Sequence, residues 1–233
     1  MAPSIALVDL SHPVTTGMPV YPGDPPVQLR PWTTVAADGY AVAQLDLGSH
    51  SGTHVDAPSH FIAGGTAVDE VDLGRLIGPA ALIDCRGYPP AAAIGPAAFA
   101  DQVLTDRIVL VHTGWDDHWG TDAYLDHPVL SPAAAHLLRD QRVRAVAIDA
   151  LSVDASRELT HGFPAHVILL GAGIPIAENL RGLAQLSWPV PMVSMLPLRL
   201  AGADGAPVRA VAWPGALTDP GPGALSTARG TSG

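Results

Sequence analysis

The sequence of 233 residues is 48% hydrophobic and 15% charged, which supplies enough apolar side chains for one substantial core without requiring a second domain. Its formal net charge of −10 disfavours nucleic acids and anionic membranes as partners, because an acidic surface does not attract phosphates or acidic lipids. The single cysteine excludes an internal disulfide, and no segment approaches the roughly 18 consecutive apolar residues of a membrane helix.

The N-terminal part of the chain is predicted to contain two strands separated by an ordered loop. Ile5–Leu10 is an apolar run typical of a strand, and Pro13 follows its end. Residues 17–26 are too rich in proline and glycine for regular structure, so they indicate an ordered loop or lid. Tyr40–Leu47 has an alternating pattern that predicts a second strand.

A histidine-rich stretch, HSGTHVDAPSHF, follows that second strand. Its four potential metal ligands all occupy even positions: His50, His54, Asp56 and His60. An extended segment has a side-chain period of two, so it would present all four to one side, whereas Gly52 and Pro58 disfavour a helix. The stretch is therefore predicted to be a strand end that runs into a tight turn, where Gly52 and Thr53 let the backbone come close to a bound group. Imidazole nitrogens with a carboxylate oxygen suit Zn²⁺ best and also suit Mn²⁺. The stretch therefore predicts a metal site, with backbone capping by loop histidines as the alternative interpretation.

The rest of the chain alternates between apolar runs and polar loops. Strands are predicted for Ala80–Cys85, Arg107–Thr113, Arg144–Ile148, Met192–Leu200 and Val208–Trp213. Proline at the first helical position predicts a short helix from Pro96, and a second helix over Ala133–Gln141 follows the N-cap residue Ser131. Residues 1–217 are predicted to form one domain, and the Gly-, Pro-, Ser- and Ala-rich residues 218–233 a disordered tail.

Other polar and aromatic residues lie in loops that follow strands. Trp115 and Trp119 are interpreted as packing or pocket residues, and His118 between them as structural. Asp154 comes after a predicted strand end, where loops place working groups, so it is a candidate to support a metal ligand. His161 is interpreted as a residue without a functional role.

The histidine-rich stretch closely resembles a family signature. His50–Phe61 is similar to the pattern His-x-Gly-Thr-His-x-Asp-x-Pro-x-His of the metal-dependent cyclase family, which includes bacterial kynurenine formamidases and isatin hydrolases. The resemblance covers about three quarters of the chain and continues in four further segments: Val8–His12, Met18–Asp24, Asp149–Asp154 and His166–Leu180.

The resemblance implies a fold and a ligand set. The expected fold is α/β, a single domain with a mixed β-sheet of the swivelling β/β/α type, assembled as a homodimer. Two divalent ions, Zn²⁺ in preference to Mn²⁺, are implied to be held by three histidines and two carboxylates: His50, His54, Asp56, His166 and Glu178. Asp56 is implied to bridge both ions. Such a set can leave open positions for water, which distinguishes a catalytic metal site from a structural one.

Two further residues are candidates for catalysis and substrate binding. His60 can face the same side as the ligands, and an imidazole with an ordinary pKa of about 6.5 can pass a proton to a leaving nitrogen. A ligand role or a supporting role for His60 stays open. By its spacing from Pro22-Gly23-Asp24, Tyr21 matches the family's substrate-packing aromatic residue, which is expected to be tryptophan in formamidases.

The implied activity is metal-dependent hydrolysis of a carbon–nitrogen bond in a small-molecule amide. The specific prediction is an arylformamidase that converts N-formylkynurenine to kynurenine and formate in the cytoplasm. One alternative is a hydrolase of isatin-like lactams, or a secondary-metabolite cyclase, from the same family. An alternative of another class is a binding module in which the metal ions only brace loops.

Overall fold

A large mixed sheet organises the fold. The computed structural model describes residues 6–157 and 162–215. Its strands are, in chain order, β1 (Val8–Asp9), β2 (Gln28–Thr33), β3 (Val42–Asp46), β4 (His54–Asp56), β5 (Ile77–Asp84), β6 (Ala93–Ile94), β7 (Ile108–His112), β8 (Val129–Leu130), β9 (Ala145–Ile148), β10 (Ile176–Glu178), β11 (Pro191–Ser194), β12 (Gly205–Pro207) and β13 (Val211–Pro214). The helices are α1 (Val35–Asp38), α2 (Pro132–Asp140) and α3 (Pro164–Gly171).

Nine of the strands in the described part of the chain form the main sheet. Their order is β1-β13-β11-β5-β7-β9-β10-β4-β12. The central strands β5, β7, β9 and β10 run parallel, and the pairings on both sides of them are antiparallel. Strands β2 and β3 form a separate antiparallel hairpin, and β6 and β8 a short parallel pair. The chain is thus α/β with a mixed sheet, as the sequence predicts.

The centre of the main sheet is buried on both faces. In β7, Val109 and Val111 pack into a core that includes α2 and α3, whereas Ile108 and Leu110 pack into a second core on the other face. This alternation follows from the period of two along a strand. Each fully buried Val, Leu or Ile side chain stabilises the fold by about 1.5–3 kcal/mol. The central strands are therefore rigid, and they fix the positions of the loops at their ends.

The predicted elements agree with the structure over most of the chain. Strands β1, β3, β5, β7, β9, β11 and β13 overlap the predicted apolar segments. Helix α2 begins as predicted, because the Ser131 hydroxyl accepts a hydrogen bond of 3.1 Å from the Ala134 amide and Pro132 occupies the first turn. The short element predicted from Pro96 is a 3₁₀ helix, Pro96–Phe99.

The histidine-rich stretch is predicted to be a strand end that runs into a tight turn, and the structure has a shorter strand with a turn on each side of it. Only His54–Asp56 is a strand, and Pro58–His60 is a turn of 3₁₀ helix. Gly52 has a φ of 66°, in the left-handed region that favours glycine, so the chain turns before the strand begins. The tail predicted for residues 218–233 and the interpretation of His161 lie outside the described residues. Among residues 6–157 and 162–215, no helix combines the length and the apolar character needed to cross a membrane.

Candidate metal centre and active site

Three of the predicted ligands come from two paired strands. His54 and Asp56 are alternate residues of β4, so their side chains leave the same face of the sheet. The antiparallel register places Glu178 of β10 directly opposite His54. His50 reaches the cluster from the turn before β4, and His166 from the first turn of α3. The fold thereby brings together all five predicted metal ligands.

Asp56 lies at the centre of this cluster and is fully buried. Its Oδ1 lies 2.7 Å from Nδ1 of His50 and 3.2 Å from Nε2 of His54. Its Oδ2 lies 3.4 Å from Nε2 of His166. The two oxygens of one carboxylate therefore face different histidines, which is the geometry that a bridging ligand needs.

Glu178 closes the other side of the cluster. Its Oε1 lies 3.2 Å from Nε2 of His166, and its Oε2 lies 3.7 Å from Nε2 of His54. Oε1 also accepts a hydrogen bond of 2.9 Å from the amide of Val153, which fixes the carboxylate. Each oxygen of Glu178 is thus directed at one of the histidines that Asp56 also faces.

Each candidate ligand histidine has an acceptor next to one of its ring nitrogens. Nδ1 of His54 lies 2.7 Å from the Gly52 carbonyl, and Nδ1 of His166 lies 2.8 Å from Asp154. Nε2 of His50 lies 3.2 Å from Asp204. An acceptor at one ring nitrogen selects the tautomer that leaves the other nitrogen unprotonated, and that nitrogen points into the cluster in all three rings.

The Gly52 carbonyl behind His54 belongs to a longer hydrogen-bond chain. It also accepts a bond of 3.0 Å from the Asn179 side-chain amide, whose oxygen accepts a bond of 2.8 Å from the Tyr124 hydroxyl. Asn179 has a φ of 56°, a left-handed conformation that asparagine tolerates better than most residues. The orientation of His54 is therefore set by buried groups from three separate parts of the chain.

The donor atoms fit a divalent cation. Nε2 of His54 and Oδ2 of Asp56 are buried and make no hydrogen bond with any residue in the described part of the chain. Leaving such buried polar atoms unpaired costs about 1–3 kcal/mol each. A cation between them would satisfy both, and ligand atoms of His54, Asp56 and Glu178 all lie within 4.8 Å of one another. Three imidazoles with two carboxylates are also a chemically suitable set for Zn²⁺ or Mn²⁺.

The electrostatics of the cluster favour positive charge. Burial lowers the pKa of His50, but the hydrogen bond and charge of Asp56 outweigh it and raise the pKa to about 9. Burial opposes ionisation of Asp56, yet the surrounding imidazoles hold its pKa well below the ordinary value. For His166, hydrogen bonds to carboxylates outweigh burial and raise the pKa well above the ordinary value. A divalent cation can replace those protons, because metal ligands bind in their deprotonated forms.

A cavity of about 370 Å³ opens beside the cluster. The residues that line it include His50, His54, His166 and Glu178, together with His60 and Asp204. Another part of its wall is aromatic and consists of Tyr21, Phe61 and Phe163. The rings of Phe61 and Phe163 lie 5.1 Å apart. The cavity thus places aromatic side chains next to the candidate metal ligands.

The remaining predicted residues have different positions. Tyr21 lines the cavity, as its predicted role in substrate binding requires. Trp115 does not line it: the indole is buried in the core and donates a hydrogen bond of 3.2 Å to the Ala123 carbonyl. Trp119 stacks on His12 with a ring separation of 3.9 Å, and His118 packs against Trp115. The two tryptophans are therefore packing residues.

Sequence reasoning missed several residues of the site. Phe61 ends the histidine-rich stretch, but nothing in the sequence pairs it with Phe163. Asp204 lies in a loop, in the sequence Ala203-Asp204-Gly205, which carries no recognisable motif. Phe61 contacts Phe163, and Asp204 contacts His50, across long separations in the sequence, so only the folded chain shows these contacts.

A buried histidine and carboxylate cluster beside the aromatic side chains of a cavity is typical of a metal-dependent enzyme. The Cyclase family model matches residues 8–155, and the chain belongs to that family. It is 36% identical to a kynurenine formamidase from Salinibacter ruber, over 89% of this chain and 97% of the relative. It is 34% identical to a kynurenine formamidase from Geobacillus thermodenitrificans, over 87% and 95% of the two chains.

Solved structures with a similar fold are also described as hydrolases. An isatin hydrolase bound to the product analogue thioisatinate has a TM-score of 0.81 and 26% identity, over 89% of this chain and 92% of that structure. A structure from Bacillus stearothermophilus, described as a predicted metal-dependent hydrolase, has a TM-score of 0.73 and 29% identity, over 90% of this chain and 98% of that structure. The relatives named here are hydrolytic enzymes, so the chain is an enzyme of this type.

Asp154 offers a first test of the groups behind the ligands. Its Oδ1 and Oδ2 accept bonds of 3.0 Å from the amides of Ala165 and His166, and Oδ2 also faces Nδ1 of His166. Asp154→Ala is expected to destabilise the metal-free protein by about 0.5–2 kcal/mol, because the N-terminus of α3 loses its cap. It is also expected to weaken metal binding about 10- to 100-fold, because His166 loses its orientation. Urea unfolding and metal titration measure the two effects.

The conservative variant Asp154→Asn separates the two roles. The amide oxygen can still accept from one of the two helix amides, so stability should recover more than metal affinity does. If Asp154→Ala lowers stability but leaves metal affinity unchanged, Asp154 is a helix cap only.

Proposed function

We propose that the protein is an arylformamidase, which hydrolyses the formamide bond of N-formylkynurenine to give kynurenine and formate. The observation that carries this proposal is that one cavity is lined both by a histidine and carboxylate cluster and by aromatic side chains that pack against it. An aromatic amine with a formyl group needs both features, one for the ring and one for the carbonyl. Kynurenine formamidases at 34–36% identity over most of the chain support the substrate class.

We propose that five residues hold two divalent ions, with Zn²⁺ preferred to Mn²⁺: His50, His54, Asp56, His166 and Glu178. The two oxygens of Asp56 and the two of Glu178 each face different histidines, which supports two neighbouring sites sharing both carboxylates. A bound ion of this kind would polarise a carbonyl oxygen and would lower the pKa of a bound water to about 7.

His60 is the proposed acid–base residue. Its side chain lines the cavity and is 28% exposed, so it can reach a substrate. A neutral imidazole accepts a proton at one nitrogen and carries one on the other. His60 would take a proton from the attacking water and deliver it to the leaving nitrogen, so that the amine departs as a neutral group. Proton transfer of this kind contributes about 10²- to 10⁴-fold to a rate.

Tyr21 is the proposed substrate-packing residue. Tyr21→Ala is expected to raise KM about 2- to 10-fold, because aromatic pairs contribute about 0.5–1.5 kcal/mol beyond their buried area. Metal content should stay the same, since Tyr21 is not among the proposed ligands. Tyr21→Trp is the matched control, and it should keep KM close to the starting value. An unchanged KM in Tyr21→Ala would remove Tyr21 from the substrate site.

Hydrolysis of isatin is the second candidate function. The likeness to isatin hydrolase over about 90% of both chains, with TM-scores of 0.81–0.82, favours it. Isatin is a flat lactam, and the same cluster and aromatic wall suit its ring and its carbonyl. The relatives' hydrolytic activities argue against a module in which the ions only brace loops.

One experiment tests the reaction and separates the two substrates. Purified protein is assayed with N-formylkynurenine and with isatin, before and after chelation and with Zn²⁺ or Mn²⁺ restored. We expect the formamide to be hydrolysed, the activity to disappear with the metal, and Zn²⁺ to restore it. Turnover of isatin alone would favour the second candidate. Binding of metal without turnover of either substrate would contradict both.

We also propose that the enzyme is a cytoplasmic homodimer. The hairpin of β2 and β3 lies outside the main sheet and exposes large apolar side chains, with Trp32 71% and Leu45 59% exposed. Exposed apolar surface of this kind is typical of a protein–protein contact. Light scattering on the purified protein gives the mass of the assembly, and a monomeric mass would contradict the proposal.

A further inference from the structure

Asp204 lies where a turn joins the sheet, close to the candidate metal ligands. It immediately precedes β12, whose first residue, Gly205, pairs with Asp56 of β4. The Asp204 carbonyl accepts a hydrogen bond of 2.8 Å from the amide of Ala57. The backbone of Asp204 is therefore fixed to the strand that carries His54 and Asp56, and its side chain has a defined position relative to the cluster.

The carboxylate of Asp204 contacts two histidines. Its Oδ2 lies 3.2 Å from Nε2 of His50 and 3.3 Å from Nδ1 of His60. Its Oδ1 accepts a hydrogen bond of 2.9 Å from the Ser49 hydroxyl, which holds the carboxylate in this orientation. One carboxylate oxygen thus joins a proposed metal ligand to the proposed acid–base residue.

The packing around His50 leaves little freedom for either ring. The imidazoles of His50 and His60 are stacked, with centroids 3.9 Å apart and an angle of 28° between their planes. A Cβ added at Gly205 would lie 2.6 Å from Cε1 of His50, so the backbone of β12 packs directly against this ring. Asp204 and Gly205 are adjacent, so the backbone of Gly205 limits the position of His50, and the carboxylate of Asp204 lies beside both histidines.

We propose that Asp204 is a positioning residue for His60. The carboxylate of Asp204 lies at ion-pair distance from Nδ1 of His60, so it favours the tautomer with a proton on Nδ1, and this leaves the lone pair of Nε2 free to accept a proton. The same oxygen acts on His50 as an acceptor behind a metal ligand. This inference rests on the proposed hydrolysis, and it assigns to Asp204 the role of orienting the proton-transfer group.

The first test reads the tautomer of His60 directly. Long-range ¹H–¹⁵N correlation spectra of the Zn²⁺-loaded protein identify which ring nitrogen of a histidine carries the proton. We expect Nδ1 to be protonated in His60, and this preference to be lost in Asp204→Ala. A His60 ring protonated on Nε2 in the unaltered protein, or an unchanged tautomer in Asp204→Ala, would overturn the inference. This reading needs no substrate, so it stands even if the proposed reaction is not found.

The second test separates positioning from general structure. Asp204→Ala should lower kcat about 10- to 100-fold with KM nearly unchanged and metal still bound at saturating Zn²⁺. Asp204→Asn keeps an acceptor oxygen and should recover part of kcat. Asp69→Ala is the matched control: the Asp69 carboxylate accepts a bond of 2.9 Å from the amide of Gly202 and holds the same turn, without contacting a histidine.

The outcomes of the second test are distinct. An equal loss of kcat in Asp69→Ala and Asp204→Ala would show that only the turn matters, and it would overturn the inference. Full activity in Asp204→Ala would also overturn it, while the hydrolysis itself would stand. If the unaltered protein hydrolyses neither substrate, the proposed function fails, and the tautomer of His60 alone decides the role of Asp204.

Discussion

Replacing Asp56 with asparagine is expected to abolish metal binding and to reduce hydrolysis by at least about a thousandfold. Asparagine keeps the size of the side chain, but it removes the charge and turns an NH₂ group towards a histidine nitrogen. Asp56 is fully buried with histidines at 2.7, 3.2 and 3.4 Å from its oxygens, so no solvent can compensate for the change. Metal catalysis is worth several kcal/mol in the transition state, and each 1.36 kcal/mol is a factor of ten.

Elemental analysis and the formamide assay check this prediction together. Asp149→Asn is a matched control, because Asp149 is another fully buried aspartate, and it accepts hydrogen bonds of 2.8 Å from the amides of Thr113 and Gly114. Asp149 is not part of the cluster, so Asp149→Asn should keep its metal even if the protein loses stability. Wild-type metal content in Asp56→Asn would show that Asp56 is not a ligand.

The histidine-rich stretch shows what a local pattern can and cannot predict. His50, His54, Asp56 and His60 were grouped from the sequence because they are close together and have metal-binding side chains. The predicted strand is limited to His54–Asp56, because Gly52 turns the chain before it and Pro58 begins a 3₁₀ helix after it. The side chains converge nonetheless, because β4 carries two of them on one face and the turns on both sides bring in the others.

The second half of the cluster depends on distant segments. Nothing local connects His166 and Glu178 with the motif, and only the family resemblance placed them there. The structure supplies the physical reason: β10 pairs with β4, and α3 leads back to β10 across the face of the sheet. Such pairing depends on the whole fold and cannot be derived from spacing alone.

Helix α3 was not predicted, for two physical reasons. It is apolar nearly all round, so it lacks the one-sided pattern that identifies a surface helix. Its N-cap residue, Phe163, makes no capping hydrogen bond through its side chain, and the carboxylate of Asp154 caps the helix from another segment. The same carboxylate orients His166, so the signal missing from the sequence is part of the site itself.

Replacing His60 tests its proposed role in proton transfer. His60→Ala is expected to retain the metal and to lose about 10²- to 10⁴-fold in kcat, because proton transfer to the leaving nitrogen is lost. Its ring is stacked on His50 at 3.9 Å and is partly exposed at the cavity wall, which suits a group that meets the substrate. Elemental analysis and steady-state kinetics measure both quantities.

The rival role for His60 is that of a ligand, since ligand atoms of His50, Asp56 and His60 also lie within 4.8 Å of one another. His50→Ala is the matched control, as it removes a neighbouring imidazole from the proposed ligand set and should lower metal content. If His60→Ala loses metal to the same extent, His60 is a ligand and its acid–base role is wrong.

If the metal stays, added imidazole should restore part of the rate, because the cavity left by the ring can admit a small base. Rescue without any change in metal content would show that His60 acts in proton transfer. It would also connect Asp204 to the reaction, because Asp204 is proposed to orient His60.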